Sequence, residues 1–329
     1  MMLHIVNMVW AVLQRFHFMV NQLRLFLFLP TVFCYGFLFS QKADSTLVLK
    51  HFAEILNTKG PRNYKNITAL NKVASYIHQE FDQYTDSTIY QEYEVGKNVY
   101  KNVIGSFGTK HENRIIIGAH YDVCGAQDGA DDNASGVVGL LELARLLKGK
   151  ELNARIDLVA YSLEEPPFFR SQNMGSYVHA KWLADNRIKV DGMICLEMIG
   201  YFNDAKKSQD YPLGLLKMFY GGRGDYITVV SKFNRGKFAR QYKRKMKKNK
   251  NVKTKAFQAP GKLPGIDFSD HLNYWKFGYS AVMITNTGFY RNKNYHHSTD
   301  KLETLDIERM TAVIQSVYET VTEITLPKE

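Results

Sequence analysis

The chain has 329 residues, of which 45% are hydrophobic and 13% aromatic, so a sizeable core is expected in one large α/β domain or two smaller ones. Its three cysteines are too few for a disulfide scaffold. Much of the formal net charge of +11 sits in residues 235–255, a run of Lys and Arg without a zinc-finger, RRM or KH pattern; it reads as a solvated surface helix and loop, and no nucleic-acid partner is expected.

Residues 1–40 are apolar, with scattered Arg and no acidic residue. Arg24, the apolar run 25–39 and the small Ser40 follow the order of a secretory signal, so export to the periplasm or the medium with cleavage after Ser40 is expected. The residues before Arg24 are unusual for a signal peptide, and the alternative is an uncleaved segment that associates the chain with a membrane. The run 25–39 is short for a full span.

Residues 41–329 read as one domain. Apolar spacing predicts helices over 45–56 (Leu47, Leu49, Phe52, Leu56) and 66–81 (Leu70, Val73, Ile77, Phe81), separated by Gly60 and Pro61. Strands are predicted over 88–95, 99–107 and 115–120, then a helix over 137–147. A strand over 153–162, a helix over 175–186 and a strand over 190–198 follow. A short strand over 226–231 precedes the basic run, and a buried strand over 280–284 and a helix over 305–324 complete the pattern. Strands alternating with helices predict a mostly parallel or mixed sheet with helices on both faces.

Sites in such sheets form beyond the carboxyl ends of strands. His120 with Asp122, Glu164 with Glu165, and Glu197 each fall at a predicted strand end. Asp131, Asp132 and Asn133 lie in the turn before a helix, and Tyr295, His296, His297 and Asp300 follow the last strand. Two adjacent carboxylates at 164–165, between an apolar strand and Pro166-Pro167-Phe168-Phe169, repel unless cations compensate them. Gathered on one rim, this set of nitrogen and oxygen donors suits zinc ahead of cobalt or manganese. Cys124 and Cys195 flank the same stretches, as buried thiols or as one disulfide.

H-Y-D (120–122), G-A-D-D-N-A-S-G (129–136), L-E-E (163–165), L-E-M-I-G-Y (196–201) and Y-H-x-x-x-D (295–300), in that order, resemble the motifs of the exported zinc aminopeptidases. That family also holds glutaminyl cyclases and transferrin-receptor-like carboxypeptidases. The resemblance runs from about residue 103 to the C-terminus and is nearest to bacterial secreted peptidases carrying S-L-E-E-P-P-F-F and F-S-D-H. It implies a three-layer α/β/α zinc-exopeptidase fold around a mixed, mostly parallel sheet. It implies two zinc ions per chain, peptide substrates, and hydrolysis of N-terminal residues by an activated water.

Residue by residue, the resemblance makes His120 a ligand of one zinc and Asp132 the carboxylate bridging both. Glu164 becomes the general base, Glu165 a ligand of the other zinc, and Glu197 the second carboxylate on the His120 side. His296 is the remaining ligand, with His297 its rival, and Asp122 orients the His120 ring. Asp128 and Asp131 are left as turn residues.

Many aminopeptidases of this family have Asp where Glu197 stands, which keeps a carboxypeptidase open as an alternative. A glutaminyl-cyclase-like transferase with one zinc is the other, and D-D-N-A-S-G argues against it. A receptor-like domain without catalysis is disfavoured because none of the ligands is missing. Ser269-Asp270-His271 is no serine-hydrolase triad, since three consecutive residues cannot align nucleophile, base and orienter, and it reads as lining of the site. Phe168, Phe169, Tyr274, Trp275 and Phe289 are candidates for an apolar substrate pocket or for plain core.

Overall fold

In the computed structural model, residues 41–234, 236–261 and 263–326 are described, so the expected leader over residues 1–40 lies outside them. The helices are α1 (Ser45–Leu56), α2 (Ile67–Tyr84), α3 (Gly136–Leu147), α4 (Gly175–Asp185), α5 (Leu216–Tyr220), α6 (Gly236–Lys248), α7 (His271–Lys276) and α8 (Ile307–Thr325). The strands are β1 (Ser87–Val95), β2 (Asn98–Phe107), β3 (Arg114–His120), β4 (Arg155–Tyr161), β5 (Val190–Glu197), β6 (Ile227–Lys232), β7 (Thr254–Ala259) and β8 (Ala281–Thr285). Side-chain caps fix three helix starts: Asp44 accepts from the N–H groups of Thr46 and Leu47, Asn66 from Ala69, and Asp306 from Arg309.

One sheet contains all eight strands in the order β1-β2-β4-β3-β5-β8-β6-β7. Its centre, β4-β3-β5-β8, is parallel throughout. Antiparallel pairs flank it, β1 with β2, β2 with β4, and β6 with β8, and β7 closes the far edge parallel to β6. The α/β expectation holds, as does the mixed sheet.

Central strands read as continuous apolar runs because both faces are covered. Ile115, Ile117 and Ala119 of β3 join the core under α1, α2, α3, α6 and α8, while Ile116 joins the core under α4 and α7. In β5 the same alternation sends Ile194 and Leu196 to one layer and Met193 and Cys195 to the other. The described residues from Lys42 onward pack as one unit, in three layers.

The basic run forms α6, whose Phe238, Ala239, Tyr242 and Met246 are buried while its cations face outward. The solvated-helix reading accounts for it. Strand β7 escaped the sequence reading because it continues the lysine-rich stretch, and charged residues are what an edge strand tolerates. Cys124 and Cys195 are free thiols. Among the described residues no helix is long and apolar enough to cross a membrane.

Candidate metal centre

Because β4, β3, β5 and β8 run parallel, their carboxyl ends open on one rim. His120 is the last residue of β3 and Glu197 the last of β5, while Glu164 and Glu165 follow β4. The turn between β3 and α3 brings Asp132 over that rim. Gly129 enters this turn at φ 61°, and a Cβ there would lie 2.3 Å from the carbonyl oxygen of Asp132. Gly136 lets the turn settle against β5, since a Cβ there would lie 2.6 Å from the Leu196 carbonyl oxygen.

Asp132 stands between two histidines. Its Oδ1 is 3.5 Å from His120 Nε2 and its Oδ2 is 3.3 Å from His296 Nε2. On the His120 side, Nε2 is also 3.4 Å from Glu197 Oε2 and 3.9 Å from Glu164 Oε2. On the His296 side, Nε2 is 3.1 Å from Glu165 Oε2. His297 is exposed, and none of these contacts involves it. Every sequence-predicted ligand and the predicted base are therefore brought together.

The backbone around these groups is held by buried polar side chains. Asp122 accepts from the N–H groups of Glu164 and Glu165, each at 3.1 Å, and its Oδ1 lies 3.4 Å from His120 Nδ1. Asp300 accepts from the N–H groups of Asp131 at 2.9 Å and Asp132 at 3.0 Å. Asn133 accepts from Gly136 and Met198 N–H and donates to the Leu196 carbonyl, tying the turn to β5. Asp131 accepts from the side-chain amides of Asn286 and Asn292 and from Gly200 N–H, a fully partnered anchor rather than a loose turn residue.

Two supporting residues, Arg62 and Ser269, were not singled out for these roles by sequence. Buried Arg62 donates to the carbonyls of Tyr121, Asp128 and Gly129 and so clamps the turn. In sequence it is only the residue after a helix-breaking proline. Ser269 donates to Glu197 Oε2 at 2.7 Å, which gives the F-S-D-H stretch a specific contact. His271 instead contacts the Ile266 carbonyl through Nε2 at 2.8 Å. Cys124 Sγ sits with Glu165 and His296, all three donor atoms within 4.8 Å of one another.

Burial crowds negative charge here. It pushes the Glu165 carboxyl up to about 8, with the neighbouring Asp132 charge adding to it. Glu164 is pushed well above its ordinary range by burial, against the pull of His120 and with the push of Glu165 and Glu197. Burial alone would lower His296, but Asp132 and Glu165 outweigh it and raise the ring to about 10. His120 is likewise held well above its usual value, the surrounding carboxylates overcoming burial. Arg62, lowered by burial to about 10, is the buried cation beside this cluster.

Buried Asp132 Oδ2 and Glu165 Oε1, with His296 Nε2, have no hydrogen-bond partner of ordinary geometry although they converge. Carboxylates and imidazoles crowded together with buried atoms left unsatisfied are a donor set that a metal cation would satisfy. His120, Asp132 and Glu165 also offer donor atoms within 4.8 Å of one another. The residues therefore fit a metal centre, with Asp132 lying between His120 on one side and His296 on the other.

Next to Glu197 opens an apolar pocket lined by Met198, Phe268, Met283, Phe289, Tyr290 and Tyr295, among others. Of the aromatics considered from sequence, only Phe289 lines it. Tyr274 is buried and its hydroxyl meets those of Tyr161 and the ring of His179, both at 2.6 Å, while Trp275 belongs to the α4–α7 core.

The sequence profile of peptidase family M28 matches residues 102–321. An Escherichia coli (strain K12) protein, the uncharacterized YfbL, is 43% identical over 271 residues, covering 80% of this chain and 83% of its own. A probable leucine aminopeptidase of Trichophyton verrucosum is 28% identical over 223 residues, 64% of this chain and 52% of its own, so the chain spans about half of that relative. The LapA aminopeptidase of Legionella pneumophila has a similar fold, with a TM-score of 0.68 at 20% identity over 87% of this chain and 73% of its own. Tannerella forsythia glutaminyl cyclase shares the fold as well, with a TM-score of 0.61 at 18% identity over 88% of this chain and 100% of its own.

Proposed function

The chain belongs to peptidase family M28 and is a hydrolase acting on peptides, and from that premise we propose that it is a two-zinc aminopeptidase. The observation that carries the two-ion reading is the position of Asp132, with one oxygen toward His120 and the other toward His296. In this reading His120, Asp132 and Glu197 would hold one ion, and Asp132, Glu165 and His296 the other. Bound zinc supplies Lewis acidity toward the scissile carbonyl and the attacking water.

The remaining work falls to the chain's own groups. Glu164, buried beside His120 and raised by its surroundings, takes the proton of the attacking water at a carboxylate oxygen and delivers it to the departing amine. Asp122 positions Glu164 and Glu165 through their N–H groups and orients the His120 ring at Nδ1 through its backbone carbonyl at 3.2 Å, with its Oδ1 at 3.4 Å. Ser269 and Asn133 hold Glu197 in place, at 2.7 and 3.3 Å from its Oε2. The apolar pocket beside Glu197 receives the side chain of the substrate's first residue and excludes water from it. Residues 1–40 are proposed, on their sequence, as an export signal or membrane segment preceding the peptidase domain of residues 41–329.

Zinc stoichiometry, combined with release of free amino acids from peptides blocked at either end, tests this reading. Two ions and release from peptides with a free N-terminus are expected. Release only from a free C-terminus would make the enzyme a carboxypeptidase. One ion with cyclisation of N-terminal glutamine would place it with the cyclases.

A further inference from the structure

Cys124 lies two residues past Asp122 on the chain leaving β3 and is half-buried. Its Sγ, a carboxylate oxygen of Glu165 and a ring nitrogen of His296 all fall within 4.8 Å of one another. A cysteine near a site is not by itself a ligand. Here, however, Glu165 is only 4% exposed and its Oε1 has no hydrogen-bond partner, and His296 Nε2 has none either. Metal–ligand bonds of about 2.0–2.3 Å place tetrahedral donor atoms roughly 3.5 Å apart, so three donors within 4.8 Å of one another can close on one ion with small side-chain movements.

We propose that Cys124 is a thiolate ligand of the metal on the Glu165–His296 side. The inference rests on the two-ion reading above and adds a donor that the reading does not use. As the sulfur–metal bond forms, the thiol proton leaves to solvent, so binding on this side releases one proton for the sulfur. The two metal positions then differ in kind. Nitrogen and oxygen donors surround the His120 side, whereas sulfur joins them on the His296 side. That position selects zinc or cobalt over manganese or magnesium more strongly than its neighbour does.

Cys195 provides an internal control. It is buried, and its sulfur lies 3.1 Å from Ser269 Oγ, outside the Glu165–His296 group. The full-length chain loaded with cobalt(II) is the test. A sulfur-to-cobalt charge-transfer band in the near ultraviolet is expected beside the d–d bands, lost in Cys124→Ser and kept in Cys195→Ser. Competition with a chelator should show zinc held about tenfold or more weakly at one of two positions in Cys124→Ser, a loss at least as large as outer-shell changes cause. The wild-type spectrum needs no variant to fold. Cobalt d–d bands without the sulfur band, or a band that survives Cys124→Ser, overturn the assignment and leave the peptidase reading standing. Failure of the chain to take up cobalt or zinc overturns both.

Discussion

The carboxylate of Asp122, just past the end of β3, accepts the backbone N–H of Glu164, just past the end of the neighbouring β4, at 3.1 Å. Its other oxygen takes the N–H of Glu165 at the same distance. Asp122→Asn turns one of these acceptors into a donor facing an N–H group or the His120 ring. The variant should fold, and should lose about 10- to 100-fold in zinc affinity or turnover. Chelator competition and peptide hydrolysis measured on the same preparation check this, and an unchanged pair of values would remove Asp122 from its positioning role.

Glu164→Gln keeps the size of the side chain and removes its capacity to take a proton. Turnover should fall by about 10²–10⁴-fold while both metal positions still fill. Steady-state kinetics with metal analysis separates the two effects. Full activity in this variant would be fatal to Glu164 as the base.

Metal removal should expose the cost of the crowded carboxylates. Burial, with Asp132 beside it, pushes Glu165 up to about 8; burial pushes Asp270 to about 7 against the pull of His120, and burial with Asp131 beside it pushes Asp300 to about 7. Unfolded carboxyls titrate near pH 4, so the folded chain binds more protons between about pH 4 and 8. The stability these groups contribute is complete below that window and is lost as pH rises through it. His296, raised to about 10, acts in the same direction, losing its contribution as pH rises from about 6.5 through 10. The metal-free protein should therefore melt at lower temperature at pH 8 than at pH 5. Zinc should recover more stability at pH 8 than at pH 5. Calorimetry at the two pH values, with and without zinc, reads both, and a metal-free melting temperature that rises with pH would contradict the expectation.

Asp131 and Asp128 share a turn but not a fate. Asp131→Ala strands the amides of Asn286 and Asn292 and the Gly200 N–H, and should cost about 3 kcal/mol or more at roughly 1 kcal/mol per buried donor. Asp128 is exposed, and Asp128→Ala should stay within about 0.5 kcal/mol. Denaturant unfolding of the metal-free proteins compares them without interference from zinc.

Much of this molecule is legible from local pattern. Continuous apolar runs in β3 and β5 and helical spacing in α1, α2 and α8 place the elements within a few residues, because both faces of the sheet and one face of each helix are apolar. Strand β7 was not legible, because its short T-K-A-F-Q-A sequence continues the lysine-rich stretch and carries no apolar signature to separate it from a charged loop. The five motifs and their order carry the family, and with it the expected ligands.

Tertiary structure decided what no spacing rule contains. Only folding brings His296 Nε2 to 3.1 Å from Glu165 while leaving His297 exposed, since two adjacent residues differ only in which way the backbone turns them. It makes Arg62 a clamp on the turn and Ser269 a partner of Glu197, contacts spanning 59 and 72 positions of sequence. It also sets Cys124 beside Glu165 and His296. The sequence by itself determined which donors exist and which strand ends carry them. Which donors converge depends on the parallel order β4-β3-β5-β8, because only strands that share a direction deliver their carboxyl ends to one rim.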